Sequence, residues 1–435
     1  MSKQNSGLTA ESVPVLKRRG HRILRVPGSK SLTSRAIMLG ALGAGRTVLR
    51  DPLRSDDTRL LSEALATLGV GVAWSSHKLV LHGVDGRPSQ GGLVNTGAGG
   101  TPARFMIAAG CLAAEQVTVD GNPRMRQRPV GELLEMLVAL GATVEGDHLP
   151  VTVSGAMSGG TLEIPVTKSS QFISALLLIA PFLEGGLTLR CGIPITSESY
   201  VDLTLEMLRT FGVSVRDERT ETHRSISVEQ TRVTHRELDI EPDASSAVYF
   251  AAVSALHEGL SVTLDGLHLN SHQPDIEAIR ILGQVGAELT ESEAGLRVTG
   301  TGTIRGFGDL DASRFPDAAL CLASVAAVAD GPSRIYGLET LPLKESDRIE
   351  VMARSLAKAG CGVAAGKSDL RITPIKTGGG PTAIDPMGDH RIAMAMAVLG
   401  TKRPGISIVD PACVSKSYPD FWIDLRKVYE GKDTP

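Results

Sequence analysis

Thr67-Leu68-Gly69-Val70 ends an amphipathic helical pattern and leads into the β-type run Val70-Gly71-Val72-Ala73. Near copies recur as Ala139-Leu140-Gly141-Ala142, Thr210-Phe211-Gly212-Val213, Gln284-Val285-Gly286-Ala287 and Lys358-Ala359-Gly360-Cys361. Their glycines stand 72, 71, 74 and 74 residues apart, and a further step of 71 reaches Gly431, after a last helical pattern over 420–429. Glycine in this place reads as the residue that closes a helix in a left-handed conformation, because it has no Cβ to clash. A fixed period marks an internally repeated chain.

Each period carries a second helix of another kind. Residues 32–44, 102–114, 171–183, 245–257, 317–329 and 390–400 are rich in Ala, Leu, Ile and Met on nearly every face, the pattern of a helix buried all round. A short strand follows each, as in Thr47-Val48-Leu49, Val117-Thr118-Val119, Leu187-Thr188-Leu189, Ser261-Val262-Thr263, Ser333-Arg334-Ile335 and Ile406-Ser407-Ile408. Six α/β units make two domains of three, and the polar, irregular stretch from Asp217 to Asp243 reads as their boundary.

The bulk numbers agree with that division. A chain of 435 residues exceeds one comfortable core, so two domains of about 200 residues are expected. The net charge of −3 supplies no global attraction for nucleic acid or an anionic membrane, so any anion site must be local. Five cysteines without a Cys-x-x-Cys pair argue against a zinc ribbon or a disulfide framework. Residues 1–20 lack the apolar core of a secretory leader, and the most apolar run, 12 residues from Ala318 to Ala329, is shorter than the ~20 a membrane span needs. A cytoplasmic protein is expected.

Chemistry-bearing residues gather at helix entrances. Val26-Pro27-Gly28-Ser29-Lys30-Ser31-Leu32-Thr33-Ser34-Arg35 runs from a strand into an apolar helix that Ser29 or Ser31 can cap, with outward N–H groups and the positive end of the dipole offered to an anion. It is not a nucleotide P-loop: Ser29 separates Gly28 from Lys30, and position 23 is Ile. The other buried helices are entered through 99–102, 168–171, 242–245, 314–317 and 389–391, and Pro102, Pro129 and Pro419 suit first helical turns. If these ends converge, they collect Lys30, Arg35, Arg104, Arg124, Arg128, Lys344, Arg348, Arg391 and Lys416, enough charge for substrates bearing several phosphates or carboxylates. Each cation could instead be a solvated cap on its own helix. Asp317 and Glu345 lie among them, either as an N-cap and a first-turn acid or as an acid/base pair. His390 is a candidate orienting or catalytic histidine. The remaining histidines and Asp56-Asp57 show no metal-ligand spacing, so no metal is expected.

With Val26–Ser31, Arg124, Ser169-Ser170-Gln171, Pro316-Asp317, Lys344-Glu345-Ser346-Asp347-Arg348, Asp389-His390-Arg391 and Asp410…Lys416 in place, the chain resembles the 3-phosphoshikimate 1-carboxyvinyltransferase family over nearly its whole length. The resemblance implies an inside-out α/β barrel architecture: two similar domains, each of three α/β units with buried parallel helices and outer strands. It implies one domain of residues 28–241 and another of 1–27 with 242–435, crossings near 27 and 241, and an active site in the cleft between them. The implied reaction moves the enolpyruvyl group of phosphoenolpyruvate to the 5-hydroxyl of shikimate 3-phosphate and releases phosphate through a tetrahedral intermediate, on the shikimate route to chorismate and the aromatic amino acids.

Position by position, the resemblance places Lys30, Ser31, Arg35, Ser169, Ser170, Gln171, Ser197, Tyr200, Asp317 and Lys344 around shikimate 3-phosphate. It places Lys30, Gly100, Arg124, Arg128, Gln171, Arg348, Arg391 and Lys416 around phosphoenolpyruvate, with Arg104 and His390 in support. Asp317 is the expected base toward the 5-hydroxyl, Glu345 the acid toward the methylene carbon, and Lys30 the charge that assists phosphate departure. No cofactor, metal, nucleic acid or membrane partner is implied, and a monomer is expected. Two positions depart from the family's habit: Ala98 stands where an Asn is usual, and Thr340 where many relatives place an Asn four residues before the lysine. The rival readings are a UDP-N-acetylglucosamine enolpyruvyl transferase, disfavoured because 121–130 lacks a cysteine, and a non-catalytic anion-binding protein of the same fold.

Overall fold

In the computed structural model, which describes residues 9–17, 19–376 and 380–430, the repeated phrase is a helix end. Gly69, Gly141, Gly212, Gly286 and Gly360 have φ of +95°, +100°, +79°, +147° and +94°. The next N–H in each case reaches five residues back, from Val70 to the Leu65 carbonyl (3.3 Å) and likewise from Ala142 to Leu137, Val213 to Leu208, Ala287 to Leu282 and Cys361 to Leu356 (3.0 Å each). That ring closes only through a positive-φ residue, which explains the periodic glycine. Gly431 lies outside the described residues.

In chain order the helices are α1 (Lys30–Leu42), α2 (Asp56–Thr67), α3 (Gly100–Gly110), α4 (Pro123–Arg126), α5 (Gly131–Ala139), α6 (Ser170–Ile179), α7 (Ser199–Thr210), α8 (Ala244–Leu256), α9 (Ile276–Val285), α10 (Pro316–Ala326), α11 (Arg348–Lys358), α12 (His390–Lys402) and α13 (Phe421–Glu430). The buried six are α1, α3, α6, α8, α10 and α12. All but α12 begin one or two residues earlier than their apolar runs, because a residue such as Ser29, Ser169 or Asp243 caps the next N–H groups. Two proline expectations shift: Pro102 is the third residue of α3, whereas Pro129 and Pro419 precede α5 and α13.

One complete repeat shows the plan. Strand Gly92–Asn95, helix α3, strand Val117–Asp120, helix α5 and the hairpin Thr143–Glu145/Val151–Ser154 follow in sequence. The first two strands pair in parallel, Val94 opposite Val119, and the hairpin adds antiparallel strands with Val119 opposite Val151. Two repeats borrow their first strand. Glu237–Asp239 pairs in parallel with Ala44–Arg50, and Gly20–Leu24 with Leu260–Asp265. The sixth repeat has Ala10–Ser12 antiparallel to Ile406–Val409, where the other sheets place a hairpin strand.

Two units result, Pro27–Glu241 and Met1–Val26 with Pro242–Pro435. In the first, α1, α3 and α6 pack on one another beside three four-stranded sheets; in the second, α8, α10 and α12 pack on one another beside two four-stranded sheets and one three-stranded sheet. Each unit has its own continuous apolar core. The stretch from Asp217 to Asp243 is not irregular: most of the hairpin Val215–Arg219/His223–Val228 and the borrowed strand Glu237–Asp239 lie in it. Its first strand is polar because it is an edge that faces solvent, which hides the alternation a strand normally shows.

Candidate active site

In the Pro27–Glu241 unit the cations approach the entrances of α1, α3 and α6. Ser29 caps α1, accepting from the Leu32 N–H at 3.4 Å. Lys30, the first residue of that helix, places its Nζ 3.2 Å from Oδ2 of Asp57, which is 3 % exposed in the first turn of α2. Arg104 donates to the carbonyls of Gly100 (3.0 Å) and Pro129 (2.7 Å) and lies over the Phe172 ring; Arg128 donates to the Ala98 carbonyl at 3.4 Å. A Cβ on Gly100 would stand 2.6 Å from both Nη1 of Arg104 and Nη2 of Arg128, so the missing side chain is what lets two guanidinium groups meet the start of α3. Arg124 stands half-buried in α4, whose first N–H groups are capped by Asn122.

The α6 entrance supplies neutral donors and acceptors. Ser169 caps it by accepting from the Gln171 N–H (3.2 Å), Ser170 is buried, and Gln171 Nε2 donates to Thr101 Oγ1 (3.3 Å). Ser197, at φ +50°, immediately precedes the entry to α7, with Tyr200 in its first turn. Arg35 points inward: its guanidinium donates to the Ser31 carbonyl (3.0 Å), the Tyr200 carbonyl (2.9 Å), Thr204 Oγ1 (2.8 Å) and Ser174 Oγ (3.3 Å). Burial lowers its pKa to about 10, which still leaves it charged at neutral pH.

In the other unit the cations alternate with carboxylates. Arg348, 1 % exposed, opens α11 just after the cap Asp347. Its Nε and Nη2 donate to Oδ2 and Oδ1 of Asp389 (2.8 and 3.2 Å), its Nη1 to Asp317 Oδ1 (2.9 Å) and its Nη2 to Glu345 Oε2 (2.8 Å). Burial alone would lower the Arg348 pKa, but Asp389, Glu345 and Asp317 outweigh it and raise it above the usual value. Asp317 also receives Arg391 Nη2 (3.1 Å) and Lys344 Nζ (3.5 Å), while Lys416 Nζ donates to Glu345 Oε1. Asp389, fully buried, caps α12 and accepts from Arg391 N (3.0 Å) and Ser346 Oγ (3.1 Å). His390 follows it, buried, with Nδ1 3.8 Å from Asp389 Oδ1.

Asp317 is therefore a first-turn residue of α10, not its cap, and Glu345 precedes α11 rather than sitting inside its first turn. Two further acids belong to these clusters. Asp57 lacks metal-ligand spacing, and only the tertiary structure shows that its neighbour is Lys30. Asp389 stands in a quoted motif, and its cap geometry is the signal that assigns it a role. Behind them, Asp275 is fully buried, accepts from Ser245 Oγ, and has no hydrogen-bond partner for Oδ1 among the described residues. Burial pushes its pKa up to about 6, against the pull of Arg391 and with Asp317 adding to the rise.

The repeated units and charged helix entrances define a protein of the enolpyruvyl transferase fold. EPSP synthase from Acinetobacter baumannii superposes with a TM-score of 0.78 and 26% identity over 97% of this chain and 98% of that one. The enolpyruvyl transferase NikO from Streptomyces tendae, at 16% identity over 96% of each chain, shares the fold with a TM-score of 0.72. The model of one family, EPSP synthase (3-phosphoshikimate 1-carboxyvinyltransferase), matches residues 18–425, and a 3-phosphoshikimate 1-carboxyvinyltransferase of Methanoculleus marisnigri is 38% identical over 403 residues, 91% of this chain and 94% of the relative. The chain belongs to the EPSP synthase family. These matches do not favour the UDP-N-acetylglucosamine reading. Among the described residues no helix is long and apolar enough to cross a membrane.

Proposed function

We propose that the two charged clusters are the working parts with which this enzyme moves the enolpyruvyl group of phosphoenolpyruvate to the 5-hydroxyl of shikimate 3-phosphate. Asp317 takes the proton of the 5-hydroxyl as its oxygen bonds to C2 of phosphoenolpyruvate, and Glu345 delivers a proton to C3. The tetrahedral adduct then loses a C3 proton to Glu345, the C2–O bond to phosphate breaks, and Lys30 offsets the charge on the leaving phosphate. Arg348, Arg391, Lys416, Arg124, Arg128, Gly100 and Gln171 hold phosphoenolpyruvate. Lys30, Ser31, Ser169, Ser170, Gln171, Ser197, Tyr200, Asp317 and Lys344 hold shikimate 3-phosphate. Arg35 serves that side through Ser31 and Tyr200, whose carbonyls it holds. Arg104 and His390 support the entrances of α3 and α12. The enzyme acts on this reading as a cytoplasmic monomer without a cofactor.

One observation carries the assignment: a single buried guanidinium, that of Arg348, hydrogen-bonds to both Asp317 and Glu345. Anion binding alone does not need acids set against the cations. When anionic substrates occupy Arg348, Arg391, Lys344 and Lys416, these cations turn from the carboxylates to the substrates, and the carboxylates are released for proton transfer. Purified protein is expected to release inorganic phosphate from phosphoenolpyruvate only when shikimate 3-phosphate is added. Folded protein that releases none with both present sinks the proposal.

A further inference from the structure

Glu198 lies within, and Asp202 just beyond, the segment that presents Ser197 and Tyr200. Carboxylates suit this end of α7, where they face the positive end of the helix dipole. They also belong to a segment assigned to a phosphate-bearing substrate, so their own charge must be occupied. Both are taken up by one side chain from the strand His223–Val228. Nη1 of Arg224 donates to Glu198 Oε1 (2.9 Å), and Nη2 lies 2.7 Å from Asp202 Oδ1. Nε and Nη2 also donate to the two oxygens of Asp217 on the adjacent strand (2.9 and 2.7 Å). The Arg224 side chain is 7% exposed, and Arg219 places a second guanidinium on Glu198 at 2.5 Å.

The first turn of α7 is thus gripped by two arginines. Arg35 takes the Tyr200 carbonyl and Thr204 Oγ1, and Arg224 takes Glu198 and Asp202. Ser197 keeps a left-handed φ of +50°, a conformation that a residue with a Cβ holds only where its surroundings impose it. The Arg224 hydrogen bonds also hold Asp217 below the ordinary carboxylate range, as a tight, well-aligned pair does.

We infer that Arg224 is a positioning residue for shikimate 3-phosphate: by tying Glu198 and Asp202 to Asp217 it sets the backbone of residues 197–200 and keeps two carboxylates engaged away from the substrate's negative charge. This rests on the assignment of Ser197 and Tyr200 to that substrate. The fork geometry matters, since a lysine offers one point charge where Arg224 serves three carboxylates.

The test compares wild type, Arg224→Met, Arg224→Lys and, as a milder break, Asp217→Asn, by steady-state kinetics, by calorimetry with shikimate 3-phosphate alone, and by thermal melting. Arg224→Met is expected to raise KM and Kd for shikimate 3-phosphate about tenfold, the loss of one charge-assisted contact. KM for phosphoenolpyruvate should stay within about twofold and kcat within about threefold, with Arg224→Lys recovering part of the loss and Asp217→Asn falling between. A lower melting temperature with unchanged shikimate 3-phosphate affinity, or an equal rise in both KM values, overturns the inference. If Arg224→Met does not fold, unchanged affinity in Asp217→Asn overturns it as well. Wild type that binds shikimate 3-phosphate without turnover refutes the catalytic assignment alone, and wild type that does not bind it refutes both.

Discussion

The two units bring cations to their helix entrances in different company. In Pro27–Glu241, Arg35, Arg104 and Arg128 donate to backbone carbonyls, and two of them lie over the rings of Phe105 and Phe172; Asp57 is the carboxylate set beside Lys30. In the other unit Lys344, Arg348, Arg391 and Lys416 are interleaved with Asp317, Glu345 and Asp389. A guanidinium held by carbonyls and hydroxyls, as that of Arg35 is, meets no carboxylate among the described residues that would cancel its charge. One held by carboxylates is neutralised until a substrate takes the carboxylate's place. The first arrangement suits binding, and the second suits exchange of partners and protons.

The sharpest way to break this contrast is to disarm the proton-transfer side. Glu345→Gln should keep shikimate 3-phosphate affinity in calorimetry while turnover in the phosphate-release assay falls by up to about 10⁴-fold, the range for a lost general acid. Turnover near wild type would make the carboxylates mere counter-ions. Next in size, Arg348→Met leaves the buried Asp389 and the partly buried Asp317 and Glu345 without their shared partner, and denaturant unfolding should register a loss of about 3–5 kcal/mol. A loss under 1 kcal/mol would mean that the cluster is not held by Arg348.

On the binding side, Gly100→Ala puts a methyl group where two guanidinium groups converge, and KM for phosphoenolpyruvate should rise about tenfold with little change in melting temperature. An unaltered KM would remove that convergence from the site. The last test concerns Asp275, whose folded pKa of about 6 lies above the ordinary carboxylate value. Between pH 4 and 6 the folded chain keeps a proton that the unfolded chain has released, so stability declines as pH rises through that window and stays lower above it. Asp275→Asn should therefore be more stable than wild type by up to about 3 kcal/mol at pH 8, and equal to it near pH 4. Equal denaturant midpoints at pH 8 would show that Asp275 ionises there at no cost.

Much of this was legible because it is local. A helix-closing glycine needs a positive φ, and five of them at a near-constant spacing disclosed the repeat. Buried helices are apolar on every face, so their six runs stood out. The resemblance carried the site residues, but not their company. That Asp57 meets Lys30 across 27 positions, or that Arg348 meets Asp389 across 41, depends on pairing that no local pattern encodes. The stretch from Asp217 to Asp243 was misread for a similar reason: Val215–Arg219 is an exposed edge, and Glu237–Asp239 is a strand only because Ala44–Arg50 lies beside it.

By itself, the sequence determined the number of units, the two kinds of helix and the entrances that carry charge, since each follows from side-chain size, apolar periodicity or backbone freedom within a few neighbouring residues, and its motifs carried the resemblance to the family. The tertiary structure alone decided which strands complete each sheet, with Gly20–Leu24, Glu237–Asp239 and Ala10–Ser12 each lent across some 190 residues or more. It also decided which charges neutralise one another. Both are matters of long-range pairing, where the contact energy depends on a partner whose position in the chain leaves no periodic trace.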